Sequence, residues 1–300
     1  MAAEDAGLRP PPDWADLARR LAAVHVATGF TGGVTRIPAD QVARDMLSEA
    51  RADEQVAEMR RIADLRGKRI LEVGSGCGML VVRGRVAHGL DLWGVEPSAG
   101  EYGATLDVAR RLLDHYGLPQ DAIAEAPGEA LPFPDASFDV VYSSNVLEHV
   151  RDPQAVIDEA VRVLKPGGQL LFVVPNYGSW WEGHYGILWL PRMPAWLAKA
   201  YVRLLGRDPA YVDTLNLVDR GRMERWMARH AGTMEVLDWG WDVFEQRLRT
   251  LAFSEWAALA TVKRIARLVH RSGLLELVLR VGRRLHWETP IILHARKRAP

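Results

Sequence analysis

Short apolar runs of strand length alternate with helical stretches through the middle of the chain. Lys68–Val73, Asp91–Val95, Asp139–Ser143 and Gln169–Val174 read as strands, with a weaker one at Ala122–Ala126. Between them, Gly74–Ala87, Gly100–Tyr116 and Asp152–Leu164 have helical character. Asp152 suits an N-cap and Pro153 the first helical turn, while Gly117-Leu-Pro119 and Lys165-Pro-Gly-Gly168 punctuate helix ends. Strands and helices alternating at this spacing predict a parallel, doubly wound α/β sheet with helices on both faces.

The flanks follow another pattern. Residues 1–39 read as an arm with one short helix near Trp14–Val26, and Asp40–Leu65 as helix in two pieces. Tyr177 to about Thr233 reads as a helical insertion rich in Trp, Tyr and Pro. Met234–Trp241 is then a strand, Gln246–Leu285 a second helical insertion, and Pro290–Ala295 a last strand. One of the two late strands is expected to be antiparallel, completing a seven-stranded sheet. The domain expectation is therefore an arm and helices at 1–64 and one domain at 65–300, interrupted at about 177–233 and 246–285.

In sheets of this kind ligands bind beyond the carboxyl ends of the strands. Gly74, Glu96, Ser143 and Pro175 all fall at such ends. Ile70-Leu-Glu-Val-Gly-Ser-Gly-Cys-Gly-Met79 is a strand running into a three-glycine turn, where a backbone without Cβ atoms lets a ligand approach closely. Glu96 closes the next apolar run and is suited to accept hydrogen bonds from a ribose diol. A dinucleotide fingerprint requires glycine at the sixth place of the turn, and that place is Met79.

Five strings in order resemble the motifs of class I S-adenosylmethionine-dependent methyltransferases, in the subgroup acting on small molecules and lipids. They are Leu71-Glu-Val-Gly-Ser-Gly-Cys-Gly78, Gly94-Val-Glu-Pro-Ser98, Leu131-Pro-Phe-Pro-Asp-Ala-Ser-Phe-Asp-Val140, Leu147-Glu-His-Val150 and Leu164-Lys-Pro-Gly-Gly168. The resemblance covers roughly residues 65–176 and implies a Rossmann-like sheet with S-adenosylmethionine as cofactor. Gly74, Ser75, Gly76 and Gly78 would line its methionine and ribose portions, and Glu72 would orient the turn or reach the amino group. Glu96, followed by Pro97, would hold the ribose hydroxyls. Ser143, Ser144 or Asn145 would offer a main-chain carbonyl to the ammonium, and Gly128 and Glu129 would flank the adenine. Relatives often carry an Asp four residues before Leu131; here Pro127 stands there, so adenine recognition would fall to Glu129 or the main chain. In such proteins the Glu148-His149 string more often packs and caps a loop than takes part in chemistry.

Transfer to a hydroxyl requires a base. The run Asn176-Tyr-Gly-Ser-Trp-Trp-Glu-Gly-His-Tyr185 follows the fifth strand, and His184 is its candidate base, with Glu182 and Tyr185 nearby and simple packing between aromatics as the alternative. The expected activity is methyl transfer to a small-molecule, glycan or lipid-linked acceptor, at oxygen. The other reading is a non-catalytic S-adenosylmethionine-binding or membrane-associated partner protein.

Composition narrows partners and location. The formal net charge is zero, which disfavours nucleic acid. Charge is uneven, however: residues 246–300 hold twelve Lys/Arg against three acids. Lys263, Arg264, Arg267, His270 and Arg271 fall on one stripe opposite Val262, Ile265, Ala266 and Val269, and Leu274–Arg284 repeats the scheme with Leu275, Leu277, Val278 and Val281. Two roles stay open for these helices, a covering lid and contact with an anionic membrane surface. The single cysteine, Cys77, rules out a disulfide within the chain and a cysteine-based zinc site, and reads as a small filler; no metal is expected. The Met1-Ala-Ala-Glu-Asp5 start is unlike a secretory signal, and Ile187–Leu205 is too interrupted to span a membrane. A cytoplasmic protein is expected, peripheral at the membrane if the basic helices engage it.

Overall fold

A computed structural model describes residues 12–98, 102–252 and 260–299. Seven strands form one sheet in the order β3-β2-β1-β4-β5-β9-β8: β1 (Arg69–Val73), β2 (Asp91–Glu96), β3 (Ile123–Glu125), β4 (Phe138–Ser144), β5 (Leu164–Val174), β8 (Met234–Asp238) and β9 (Ile291–Lys297). The pairs among β1–β5 are parallel, and β9 runs antiparallel between β5 and β8. This is the doubly wound, mostly parallel α/β sheet that the pattern predicts, with the antiparallel strand at the carboxyl terminus.

Helices α4 (Met79–Val86), α5 (Tyr102–His115) and α6 (Pro153–Val163) connect the first five strands. Asp152 caps α6, its carboxylate accepting from the amides of Gln154 and Ala155. The stop at Lys165–Gly168 holds for the helix, but these residues are drawn into β5, because Leu164 turns extended and pairs with Phe138 ahead of a register shift. The Gly100 start expected for α5 lies outside the described residues.

Helices α1 (Trp14–Ala27), α2 (Ala39–Met46) and α3 (Glu49–Ile62) are no loose arm. Leu17, Leu21, Ala43, Ala52, Val56 and Met59 share one buried cluster with Ile70, Leu92, Val140 and Tyr142 of the sheet. The opposite face is closed by α6 and α8 (Arg220–Ala228), through Val156, Ile157, Ala160, Met223 and Met227.

The first insertion is mixed. It contains a short hairpin, β6 (Trp181–Glu182) with β7 (Ile187–Leu188), then α7 (Ala195–Leu204) and α8. Tyr177, Tyr185, Trp189, Ala198 and Val202 form its own aromatic core, which Val34 from the amino-terminal segment joins. The sixth sheet strand ends at Asp238, short of the expected Trp241. Gly240, at φ +85° with a Cβ that would stand 2.6 Å from Ile292, breaks the strand, and α9 (Trp241–Thr250) starts there. Helices α10 (Ala260–Arg271) and α11 (Leu275–Leu285) pack on α9 through Trp241, Leu248, Ala266 and Leu279. Among the described residues, no helix is long and apolar enough to cross a membrane.

Candidate active site

The glycine turn is set by what crowds it. Gly74 lies at φ +79°, and a Cβ on it would come within 2.3 Å of Val146, so the loop after β4 sits directly on the turn. Gly94 has no room for a Cβ because the Ser75 hydroxyl would be 2.1 Å away. Gly78 and Gly128 are crowded by core side chains, Ile123 and Ala109 in one case, Val73 and Val156 in the other. Gly76 alone, at φ +53°, faces space open to at least 4 Å. The amides of Gly74 and Ser75 donate to the Val95 carbonyl, which locks the turn to β2.

Two buried acids stand at this turn. Glu96 accepts from the Gly76 amide (2.8 Å) and the Thr105 hydroxyl (3.0 Å). Glu72 is buried between Gly94 of β2 and Tyr142 of β4, and its Oε2 has no hydrogen-bond partner among the described residues. Burial, reinforced by the charge of Glu96, pushes Glu72 up to about 8, and burial pushes Glu96 up to about 7. A pair of desolvated carboxylates meeting only neutral partners beside open backbone fits a ligand that carries positive charge and hydroxyl donors. S-adenosylmethionine has both, a sulfonium with an ammonium and a ribose diol.

The remaining sequence candidates are arranged less uniformly. The Ser143 hydroxyl donates to the Val73 carbonyl (2.9 Å) and ties β4 to β1. Ser144 accepts from the Asn145 side chain, and Asn145 is exposed at φ +56°. Glu129 accepts from the amides of Arg151 and Asp152 (2.9 and 3.3 Å), so its carboxylate holds the loop leading into α6. Pro97 is half-buried at the end of β2. Cys77 is buried, its thiol pushed up to about 12 by burial and bonded to the Met46 carbonyl, as suits a packing residue.

Along the loops after β4 and β5, four charged or titratable groups converge. His184 Nδ1 lies 2.7 Å from Glu182 Oε1, and its Nε2 lies 3.1 Å from Nε2 of His149. Glu182 is buried and also accepts from the Tyr177 hydroxyl (3.2 Å) and the Tyr185 amide (2.6 Å). Burial alone would lower the His184 pKa, but Glu182 and Glu148 outweigh it and hold the imidazole above the ordinary histidine value. Burial and the neighbouring His184 push His149 down to about 3. Glu148, fully buried, is pushed up to about 7.

Residues beyond the motifs position this cluster. Asn216 donates through its side chain to the carbonyls of Leu147 (3.1 Å) and Val150 (2.6 Å), and its amide donates to the Glu148 carbonyl (2.7 Å). Asn176 donates to the carbonyls of His286 and Glu288 and accepts from the Gly178 amide, pinning the loop after β5. Neither role has a sequence signal, since each joins segments more than sixty residues apart. Glu148 and His149, by contrast, stood in a motif already singled out.

The fold and the glycine turn define an α/β protein that takes a nucleoside cofactor at the carboxyl ends of its strands. The family profile described as a methyltransferase domain matches residues 71–172. An uncharacterized methyltransferase of Mycobacteroides abscessus is 34% identical over 188 residues, which cover 59% of this chain and 69% of that protein. The chain belongs to the class I S-adenosylmethionine-dependent methyltransferases. The ubiquinone biosynthesis O-methyltransferase of Klebsiella pneumoniae is 37% identical over 120 residues, 39% of this chain and 46% of that one, so the match spans about half of that relative. A geranyl diphosphate methyltransferase solved in complex with S-adenosylmethionine is 19% identical at a TM-score of 0.48, covering 87% of this chain and 90% of that one.

Proposed function

We propose that this methyltransferase acts on a hydroxyl group of a small-molecule, glycan or lipid-linked acceptor, with His184 as the residue that takes the proton. The observation that carries this reading is the buried Glu182–His184 pair in the segment after β5, which meets His149 of the same loop that rests on Gly74 through Val146. Glu182 keeps the Nδ1 proton on His184, which leaves Nε2, the nitrogen that faces His149, as the acceptor of a proton. His149 meets that nitrogen now and would yield to an entering hydroxyl. The oxygen reading also accords with the Klebsiella pneumoniae relative, whose name records O-methyl transfer.

S-adenosylmethionine supplies an electrophilic methyl on a sulfonium, so the chain's part is to hold the donor, align the acceptor and remove one proton. Gly74, Ser75, Gly76 and Gly78 form the bed, Glu72 and Glu96 face the ammonium and ribose, and Pro97, Gly128, Glu129, Ser143, Ser144 and Asn145 border it. We read 65–300 as the catalytic domain, with residues 12–64 completing one face of its core. A His184→Ala enzyme is expected to lose turnover by roughly a hundredfold or more on a panel of phenols and lipid-linked glycans. It should keep the thermal shift given by S-adenosylhomocysteine. Full turnover in that variant would remove His184 from the chemistry.

A second reading concerns where the acceptor is met. Leu268 of α10, Leu277 and Leu285 of α11 and Leu274 just ahead of α11 are exposed, beside exposed Arg264, Arg267, Arg271, Arg280, Arg283 and Arg284. Exposed leucines among arginines suit an anionic lipid surface, and the inward faces of the same helices cover α9.

A further inference from the structure

The geometry points to a divalent transition-metal site formed by Glu148, His149 and His184, with Glu182 behind it. One ligand atom from each of the three lies within 4.8 Å of the other two. The two Nε2 atoms are 3.1 Å apart and Glu148 Oε1 is 3.8 Å from His149 Nε2. Nitrogen and oxygen ligands sit about 2.0–2.2 Å from such a cation, so two of them on one ion are at most about 4.4 Å apart. The separations of 3.1 and 3.8 Å fit directly, and the third, within 4.8 Å, needs at most a few tenths of an ångström of closure. A nitrogen pair 3.1 Å apart then subtends about 100° at the ion, between the octahedral and tetrahedral angles.

Glu148 is the independent observation. It is 0% exposed and neither carboxylate oxygen has a hydrogen-bond partner among the described residues. A buried carboxylate with no donor is costly, and a missing ion is one of the few things that explains it. The imidazoles supply no such donor. His184 gives its Nδ1 proton to Glu182, and the facing Nε2 atoms share at most a bond with each other. A cation placed among the three satisfies all of them at once.

The Glu182–His184 contact is the outer-shell carboxylate that metal-binding histidines commonly carry; it fixes the tautomer and strengthens Nε2 as a ligand. Asn216 fixes the main chain around Glu148. Two imidazoles and one carboxylate suit zinc, manganese, iron, cobalt or nickel better than magnesium, which prefers oxygen. Three protein ligands leave a position free for an outside oxygen. In its purpose the site rests on the hydroxyl-acceptor reading: a cation there would acidify a hydroxyl placed on it. His184 is then the base of the cation-free cluster and a ligand of the loaded one. The existence of the site rests on the three side chains alone.

Cobalt(II) chloride titrated into the chelator-stripped full chain tests this, read by visible absorption and by metal analysis after desalting. The expected result is one equivalent bound, displaced by zinc and not by a tenfold excess of magnesium. Affinity should fall at least a hundredfold in Glu148→Ala, His149→Ala and His184→Ala, and about tenfold or more in Glu182→Gln. His88→Ala, at the histidine bonded to Asp53 away from the cluster, should bind cobalt as the parent does. S-adenosylhomocysteine thermal shifts report whether each variant is folded. No saturable binding to the parent chain up to about 1 mM cobalt overturns the site, whatever the variants do, and so does binding that the Glu148 and His149 variants leave intact. Because the readout needs no acceptor, cobalt binding without any methylated hydroxyl would count against the acceptor reading alone.

Discussion

Glu72 and Glu96 show how burial changes the chemistry of single residues at the glycine turn. Each is a glutamate whose ordinary value is 4.5, raised by burial to about 8 and about 7. The folded protein without ligand therefore holds protons that the unfolded chain has released between pH 4.5 and 8, and its stability declines as pH rises through that window. A cationic ligand reverses the preference, because it favours both carboxylates ionised. S-adenosylmethionine affinity is expected to weaken by roughly tenfold per unit as pH falls from about 8 to about 7 and by up to about a hundredfold per unit below that, where both acids must lose a proton on binding. Isothermal titration from pH 5.5 to 8.5 checks it, and an affinity flat across that range would show that neither acid meets the cofactor's charge. Glu96→Gln should flatten the profile and lower affinity together.

At the scale of elements, loops rather than strands assemble the cluster of Glu148, His149, Glu182 and His184. The loop after β4 rests on Gly74 through Val146 and is held by Asn216. The loop after β5 is held by Asn176, whose amide bonds two carbonyls of the segment leading into β9 (2.9 and 2.6 Å). Replacing Asn176 with Ala leaves those carbonyls and the Gly178 amide without their partner inside the fold. The expected loss is about 2–3 kcal/mol, measurable by urea unfolding. Activity should drop further than cofactor binding, since this loop leads to Glu182 and His184 while the glycine turn is held by β2. Equal losses in both would mean the loop serves only the fold.

For the whole molecule, charge is balanced overall and sharply uneven locally. Helices α10 and α11 present arginines and exposed leucines on an outer face, with Leu268 66% exposed. Such a face is expected to bring the enzyme down with anionic vesicles at low salt and to release it by about 0.5 M salt, where the Debye length is only a few ångströms. Leu274→Ser with Leu277→Ser should weaken that binding several-fold and leave cofactor affinity unchanged. No vesicle binding at low salt, or binding that the two serine substitutions leave intact, would leave these helices as a cover for α9.

Local pattern was enough for the sheet and the glycine turn. Strand length, helix caps and the Gly-x-Gly-x-Gly turn act over a few residues, so β1, β2, β4 and α6 were legible within a residue or two, and Glu72, Gly74, Gly76 and Glu96 meet where their strand ends put them. Ser143 and Glu129 were legible as candidates, but not that their side chains bond to neighbouring backbone, a matter of which loop lies alongside. The β6–β7 hairpin, the early end of β8 at Gly240 and the burial of α1–α3 in the main core depended on partners far away in the chain. The same holds for the paired histidines: Glu148-His149 and Glu182–His184 lie some thirty-five residues apart, and only folding of the aromatic insertion against the sheet sets one imidazole 3.1 Å from the other. Periodicity reports which way a side chain faces; it carries no information about which distant side chain will face it, and that pairing is settled by the packing of the whole chain.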